Sequence, residues 1–248
     1  MNRPAFIEEL AEEAEGLGAV IQTSDRVGSI EELDGDYIVD ASGCPSVVKR
    51  ELGLDKGLKG VSYQQTLEDS NYFNPNTIEI LYSFSYDLGY YWIFPRDPER
   101  REVNIGVGFV GRVDVPLKSL LEDFKESRGV EGRVVHVAGG LIPIGLQPPF
   151  MKDNILFVGD AGVGTFPLTG QGIYRALISG DDAGRCIATG KPWLYPSIVK
   201  RKFIKWEVLG KLILWFTHLG GCIDSSFASL LFNWFLSATQ HAGLWSIG

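Results

Sequence analysis

One stretch of this chain, residues 155–187, constrains the fold more than any other. It opens with the apolar run Ile-Leu-Phe-Val, which is typical of a strand covered on both faces. Four glycines follow between residues 162 and 172, so the backbone there can lie close to a ligand. Beyond Gly170, small and apolar residues recur at helical spacing, with Arg175 and Asp182 expected on the exposed surface. The stretch therefore predicts a buried strand, a glycine-rich turn and a helix.

The beginning of that helix suits a ligand that is anionic or rich in electrons. The first N–H groups of a helix have no intrahelical partners, and the helix dipole makes this end positive. Asp160 stands at the carboxyl end of the preceding strand, where its carboxylate can accept hydrogen bonds from ligand hydroxyls. The pattern thus indicates a ligand site between the strand and the helix.

The stretch resembles the second flavin-binding motif of the FAD-dependent oxidoreductases that include aromatic hydroxylases and geranylgeranyl reductases. The residues that carry the resemblance, with the intervening spacing intact, are Gly159, Asp160 and Ala161, then Pro167, Leu168, Thr169, Gly170, Gln171, Gly172 and Ile173. The resemblance implies that Asp160 binds the ribityl chain of FAD. It also implies that Gly170, Gln171 and Gly172 face the pyrimidine edge of the isoalloxazine. The alternative is a turn whose glycines serve packing alone.

A second strand, turn and helix are predicted over residues 37–52. The strand, residues 37–39, is expected to be buried and to end at Asp40, and Ser46 is placed to cap the helix that follows. The residues expected to face inward are Val47, Val48 and Leu52, and those expected to be exposed are Lys49 and Arg50.

This segment is similar to another element of the same superfamily, which handles both flavin and pyridine nucleotide. The matching residues are Asp40, Gly43, Ser46 and Arg50, and the resemblance makes Asp40 and Gly43 candidates for cofactor contact. A plain turn between a strand and a capped helix is the alternative. Between them stands Cys44, which we expect to be a small, half-buried side chain and not a redox centre.

The first residues predict an amphipathic helix over residues 4–17 and a short strand over residues 19–22. The side chains expected on the apolar side of the helix are Phe6, Leu10, Ala14 and Leu17. The segment resembles a family segment in which an arginine lies near the flavin, and Arg3 is the matching residue. A solvent-exposed arginine is the alternative.

Between residues 60 and 110, runs typical of strands alternate with turns, which predicts an antiparallel sheet. Such a sheet packs one face on a core and can offer the other to a substrate. Alternation along a strand places Tyr90, Trp92 and Phe94 on one face, where they form an apolar wall. Farther along, His136 is expected on an exposed face of the sheet and not in catalysis.

The wall resembles the Tyr-x-Trp-x-Phe-Pro element that lines the isoprenoid tunnel of geranylgeranyl reductases. The resemblance implies that Tyr90, Trp92, Phe94 and Pro95 bind substrate. Asp87 replaces the proline that precedes the element in the family. Flavin halogenases have a similar strand, and these aromatics could alternatively pack the sheet against a helix.

Composition excludes several other classes of function. The net charge of −8 supplies no basic footprint for nucleic acid. Three widely spaced cysteines fit a reducing compartment, and with the three histidines they show no metal-ligand spacing. Because of the missing ligand spacing, we expect no bound metal. No apolar run reaches the roughly 18 residues that span a bilayer, so we expect a cytoplasmic protein.

The tail from residue 196 is helical in pattern, rich in aromatic residues and basic at its start. It could lie on a membrane surface as a peripheral contact, or it could cap the substrate tunnel. We favour the cap, because a membrane-surface helix usually has a cleaner polar face.

Together these patterns predict an α/β plus β fold in three parts. They are a partial Rossmann-like FAD/NAD(P)-binding domain in residues 1–57 and 146–195, an antiparallel-sheet substrate domain in residues 58–145, and a C-terminal helical cap in residues 196–248. The family's opening strand, Gly-x-Gly-x-x-Gly turn and acidic residue do not occur in these 248 residues. The chain could be a fragment, the product of a misread gene start, or one part of a split protein whose separate partner chain supplies the glycine-rich segment. We therefore expect the isolated chain to bind FAD weakly or not at all.

The resemblance implies an FAD-dependent reductase of the geranylgeranyl reductase type. Its substrate would be an isoprenoid lipid such as digeranylgeranylglycerophospholipid, and its electron donor NAD(P)H or reduced ferredoxin. No side chain of the sequence marks itself as a catalytic acid or base. The alternatives are a flavin monooxygenase or halogenase, and a non-catalytic lipid-binding remnant.

Overall fold

The computed structural model describes residues 3–83, 88–111, 113–223, 230 and 232–234. The helices are α1 (Arg3–Gly16), α2 (Val47–Glu51), α3 (Leu117–Arg128), α4 (Gly159–Gly162), α5 (Ile173–Ala188) and α6 (Tyr195–Ile223). The strands are β1 (Ile38–Asp40), β2 (Lys59–Glu68), β3 (Glu79–Ser83), β4 (Gly89–Asp97), β5 (Glu102–Val110), β6 (Arg133–Pro143), β7 (Met151–Lys152) and β8 (Ile155–Phe157).

A small sheet in the order β1-β8-β7 supports the two predicted turns. Strands β1 and β8 run parallel, with Asp40 opposite Phe157, while β7 pairs with β8 in the antiparallel sense. All three residues of β8 are buried, which confirms the predicted strand covered on both faces. Because parallel strands end at the same edge, the turns after β1 and β8 lie side by side.

The second sheet is antiparallel, in the order β3-β4-β5-β2-β6, and confirms the prediction made from alternation. One face packs against α3 through a core that includes Leu67, Ile105, Val107 and Leu121. The opposite face carries residues such as Tyr90, which alternate with those of the core.

Helices α5 and α6 cover the small sheet. Tyr195 and Val199 of α6 are fully buried beside Ala183 of α5 and Leu156 of β8. The hydroxyl of Tyr195 donates a hydrogen bond to the backbone oxygen of Phe157 at 2.8 Å. Among the described residues, no helix combines the length and apolar character needed to span a bilayer.

Several local predictions were wrong at the amino-terminal end. Residues 19–22 form no strand, because they belong to neither sheet. The strand predicted at residues 37–39 is not buried throughout, because Tyr37 and Val39 are exposed. On α1, Phe6 is half-buried but Leu10 and Leu17 are exposed, so the apolar side of the helix is only partly used. Helix α2 begins as predicted, because the Ser46 hydroxyl accepts a hydrogen bond from the Lys49 N–H at 2.9 Å.

Candidate functional site

The two turns at the edge of the small sheet bring the predicted cofactor residues together. Asp160 is the second residue of the short helix α4, which follows β8, and its carboxylate faces the start of α5. A Cβ atom placed on Gly172 would lie 3.4 Å from the Asp160 Oδ1. The arrangement predicted from the motif is therefore present: a carboxylate stands beside the positive end of a 16-residue helix.

The glycine-rich turn is closed by its own backbone. The N–H of Gly170 donates to the oxygen of Phe166, and the N–H of Phe166 donates to the oxygen of Gln171, both at 2.9 Å. Gly170 has a φ of +66°, a backbone conformation that residues other than glycine rarely adopt. The turn holds Pro167 next to α6, where Gly210 leaves room for the proline ring.

Arg175 is buried under this turn, and the prediction that it lies on the surface was wrong. Its guanidinium donates hydrogen bonds to the backbone oxygens of Val163 at 2.5 Å and Thr165 at 3.2 Å. It also lies 5.0 Å from the ring centre of Phe203 on α6. One side chain thus holds two carbonyls of the turn against two helices. The prediction failed for Asp182 as well, which is buried and pairs with Lys202 at 2.7 Å.

Glu207 of α6 completes this buried cluster. Its Oε2 lies 3.8 Å from an Arg175 nitrogen, and its Oε1 lies 2.7 Å from the Lys211 ammonium. Neither oxygen has a partner with hydrogen-bond geometry, so both contacts are ion pairs alone. Burial lowers the pKa of Arg175 to about 10, and the charges of Glu207 and Asp160 oppose that shift. The guanidinium therefore stays charged at neutral pH.

The Asp40 carboxylate is also buried, and its hydrogen bonds go to its own turn. It accepts hydrogen bonds from the Ser42 N–H at 2.9 Å, the Ser42 hydroxyl at 2.6 Å and the Ser46 hydroxyl at 2.5 Å. These bonds shape the turn that contains Gly43, which is half-buried at a φ of +89°. A direct contact between Asp40 and a cofactor stays a prediction.

Lys49 is buried, although the sequence pattern predicted an exposed side chain. It is 1% exposed, donates to the backbone oxygen of Gln147, and lies 4.6 Å from the ring centre of Phe157. Burial lowers the pKa of Lys49 to about 8, and the negative charge of Asp40 opposes the shift. Lys49 therefore connects α2, which follows the turn after β1, to β8, the strand that precedes Asp160.

The sequence also gave expectations for Cys44, Arg3 and His136. Cys44 is half-buried, as expected, and burial raises the pKa of its thiol to about 11. The thiol therefore stays protonated at neutral pH, which argues against nucleophilic chemistry. Arg3 begins α1, but its side chain lies outside the described residues. His136 is exposed on β6, as expected.

The three aromatics of β4 share one face, as alternation predicted. The ring centres of Tyr90 and Trp92 are 5.7 Å apart, and those of Trp92 and Phe94 are 6.2 Å apart. The Trp92 indole lies across β5, where it donates to Asn104 at 2.7 Å. A Cβ on Gly106 would meet this indole at 2.2 Å, so the strand requires glycine there.

The aromatic wall faces the glycine-rich turn and not α3. The Tyr90 hydroxyl donates to the backbone oxygen of Thr169 at 3.0 Å. Burial and the nearby Tyr82 raise the pKa of Tyr90 to about 12, so this donor keeps its proton. A small cavity lies between the sheet and the turn, lined by residues that include Gly60, Tyr90, Trp92, Gly108, Pro167 and Gly170. The predicted substrate wall and the predicted flavin turn are therefore in direct contact.

Comparison with known proteins finds relatives both by sequence and by fold. The chain is 30% identical over 215 residues to the digeranylgeranylglycerophospholipid reductase of Methanocella arvoryzae, covering 76% of this chain and 54% of the relative. Its fold is similar to that of a geranylgeranyl bacteriochlorophyll reductase-like protein from Thermoplasma acidophilum. That match has a TM-score of 0.69 at 20% identity and covers 92% of this chain and 65% of that one.

By sequence the chain is similar to digeranylgeranylglycerophospholipid reductases, and it shares the fold of a geranylgeranyl reductase-like protein.

The alignments cover only part of the length of these relatives. The chain spans about half the length of the curated geranylgeranyl reductase relatives it matches. The flavin-dependent brominase Bmp2, in a triple mutant, shares the fold with a TM-score of 0.55 at 18% identity, covering 85% of this chain and 63% of that one. No family model matches the chain.

Sequence reasoning missed the charged residues beneath the site of this geranylgeranyl reductase relative. Arg175, Glu207 and Lys49 are each buried and each hold a turn or helix in place. A weak signal was available for Glu207, which is the single acidic residue among the many lysines of residues 195–216. The positions of Arg175 and Lys49 on their helices gave no comparable signal.

The contact between the wall and the turn predicts a coupled pair of substitutions. In Gly170→Ala, the new Cβ would lie 2.4 Å from the Tyr90 hydroxyl oxygen, whereas the nearest ring carbon is 3.6 Å away. We expect Gly170→Ala to cost about 1 kcal/mol or more beyond its cost in a Tyr90→Phe background. Urea unfolding of the two single variants and the double variant measures this coupling. Strictly additive effects would contradict the contact.

Removing the buried cation should destabilise the whole site. Arg175→Met leaves Glu207 buried with one cation fewer, so we expect the free energy of unfolding to fall by about 3–5 kcal/mol. The control is Arg185→Met on the same helix, whose exposed ion pair with Asp181 should contribute nothing measurable. Urea unfolding compares the two, and equal small losses would show that Arg175 is not a structural anchor.

The lowered pKa of Lys49 predicts a pH effect of defined sign. Between about pH 8 and about pH 10 the unfolded lysine binds a proton that the folded one has lost, so stability rises with pH. The free energy of unfolding of the unsubstituted chain should therefore rise relative to that of Lys49→Met across this window. Lys56→Met, at an exposed lysine, is the control and should show no such change. A constant difference between the unsubstituted chain and Lys49→Met would refute the shift.

Proposed function

We propose that this chain forms the flavin-facing and substrate-binding part of a reductase that saturates isoprenoid double bonds in a digeranylgeranylglycerophospholipid-type lipid. The observation that carries the proposal is the hydrogen bond from Tyr90 to Thr169. It sets the aromatic wall against the turn that begins α5, so an alkene on the wall would lie beside a cofactor on the turn. The name of the Methanocella arvoryzae relative supports this choice of lipid.

The residues present fit FAD. The turn that leads into α5 carries Gly170 and Gly172, and the missing side chain of Gly172 lets Asp160 stand close to the start of the helix. The first N–H groups of α5 point toward the same place and suit the electron-rich pyrimidine edge. Asp160 supplies an acceptor for ribityl hydroxyls next to this helix start. When bound, FAD would supply hydride transfer chemistry.

The chain's own residues would bind and orient the substrate. Trp92 and Phe94 give an isoprenoid chain an apolar surface, and the buried surroundings of Trp92 exclude water from it. The Tyr90 hydroxyl is engaged by Thr169 and keeps its proton, so we assign it to positioning the turn and not to proton transfer. Pro95 directly follows Phe94 on β4, and its contact with substrate stays a prediction.

A further part of the proposal concerns what completes the site. The exposed edge beside the two turns is apolar, since Val39 of β1 is 44% exposed, and Tyr174 and Leu177 of α5 are 54% and 45% exposed. We propose that a glycine-rich strand, turn and helix outside these 248 residues covers this edge and holds the FAD pyrophosphate. Electrons would come from NAD(P)H or reduced ferredoxin.

The competing function is that of a flavin monooxygenase or halogenase. The brominase Bmp2 has the same fold, and fold alone therefore does not separate the two activities. The sequence relatives favour the reductase, because they are named digeranylgeranylglycerophospholipid reductases at 26–32% identity.

The flavin part of the proposal is tested by FAD titration. We expect the isolated chain to bind FAD weakly or not at all, and co-expression with a glycine-rich segment from a relative to restore binding. In the restored complex, Asp160→Ala should weaken binding about tenfold or more, because charged acceptors form the stronger hydrogen bonds. Asp181→Ala, at an exposed position of α5, is the control. Stoichiometric FAD on the isolated chain would contradict the expectation.

The reaction is tested separately on the restored complex. Dithionite reduces bound flavin chemically, which removes any dependence on the natural electron donor. With digeranylgeranylglycerophospholipid added, mass spectrometry should show two hydrogens gained for each double bond. Oxygen-dependent hydroxylation or halogenation of an added aromatic would favour the competing function, and bound FAD without either product would leave the proposed reaction refuted.

A further inference from the structure

The outer side of α6 has an unusual composition. Between residues 197 and 216, the exposed residues are Ser197, Lys200, Arg201, Lys202, Ile204, Lys205, Val208, Lys211, Leu212, Trp215 and Phe216. Five are basic, five are apolar and none is acidic. We call these residues the outer face of α6.

The apolar members of the outer face form a continuous stripe. Ile204, Val208 and Leu212 follow each other at four-residue intervals, and Trp215 continues the row. Val208 is 51% exposed, Leu212 is 49% exposed and Trp215 is 55% exposed. Scattered apolar residues are normal on a protein surface, but an aligned row of this length on one helix usually marks a contact.

The opposite side of α6 is already engaged and fixes how the helix lies. Phe203 packs in the core beside α5, Gly210 contacts Pro167, and Ile213 packs against Leu168 and Leu88. Glu207, the acidic residue of this part of the helix, is buried on that side. The outer face therefore cannot turn inward unless α6 loses its contacts with the glycine-rich turn.

The charge of the outer face contrasts with that of the whole protein. The chain carries a net charge of −8, yet the outer face presents five cations and no anion. Lys202 is paired with Asp182 and Lys211 with Glu207, which leaves Lys200, Arg201 and Lys205 with no ion pair among the described residues. An anionic surface would repel most of this protein and attract this side, so the charges select one orientation.

We propose that the outer face of α6 docks on an anionic lipid bilayer, with the helix lying in the plane of the membrane. The stripe from Ile204 to Trp215 would enter the boundary between headgroups and acyl chains, and tryptophan is favoured at that depth. Lys200, Arg201 and Lys205 would pair with anionic headgroups. The inference stands on the helix and holds whatever reaction the protein performs.

The docking would place the bilayer close to the aromatic wall. The inner side of α6 contacts Leu168, next to Thr169, which accepts the Tyr90 hydrogen bond. A helix with its side chains is about 10 Å across, so the membrane surface and the glycine-rich turn would be separated by roughly one helix diameter. A lipid could then pass from the bilayer to the wall over a short distance.

Vesicle flotation tests the docking with the 248-residue chain and no flavin. Vesicles of phosphatidylcholine alone are compared with vesicles containing phosphatidylglycerol. We expect binding to the anionic vesicles that falls about tenfold or more in the triple variant Lys200→Gln, Arg201→Gln, Lys205→Gln. The double variant Val208→Ser, Leu212→Ser should lose binding comparably, because it removes the inserted stripe.

The control changes the same charge elsewhere on the surface. Lys56, Lys118 and Lys152 are exposed outside α6, and their replacement by Gln together should leave flotation unchanged. Circular dichroism and thermal unfolding verify that all variants fold. Equal loss in the control variant, equal binding to neutral vesicles, or no flotation at all would overturn the proposal. So would concentration-dependent self-association that the Val208→Ser, Leu212→Ser variant abolishes, since the stripe would then be an interface between copies.

Discussion

The burial of the Arg175 guanidinium is the constraint on which the site depends. A cation removed from water must find partners, because its desolvation costs several kcal/mol. Here the partners come from three directions: the carbonyls of Val163 and Thr165, the ring of Phe203 and the carboxylate of Glu207. Val163 and Leu168 of the glycine-rich turn pack in apolar clusters, and this cation holds two backbone carbonyls of the turn from below. The turn, α5 and α6 are thereby held as one unit.

With the turn fixed, the antiparallel sheet docks on it through polar contacts that include the Tyr90 hydroxyl and the hydrogen bonds from Thr165 to the Pro143 backbone oxygen. Tyr90 reaches across to Thr169, and the absence of a side chain on Gly170 lets the hydroxyl approach. Trp92 lies flat behind it because Gly106 leaves the space. Two sheets that share no strand are therefore joined through this turn, and a small cavity lies between the turn and the antiparallel sheet.

The parts of this arrangement that could be predicted are those set by local sequence. Alternation marks the strands, and glycines followed by helical spacing mark the turn before α5, since each pattern involves residues close together in the chain. Arg175 and Lys49 could not be placed this way. Each belongs to a helix where a charged residue usually points to solvent, and only packing against distant residues such as Glu207 and Gln147 turns it inward.

Helix α6 has one side packed in the core and one side exposed to solvent. A tunnel cap and a membrane-surface helix appeared to be alternatives because an amphipathic helix normally has one apolar side. The buried side of α6 supports the turn through Phe203 and Gly210, and the outer side is exposed over most of its length. The polar residues of that outer side are nearly all cations, so the face lacks the mixed charge of a helix adapted to water alone. The cap and the contact with anionic lipid are thus compatible, and they require the same orientation of the helix.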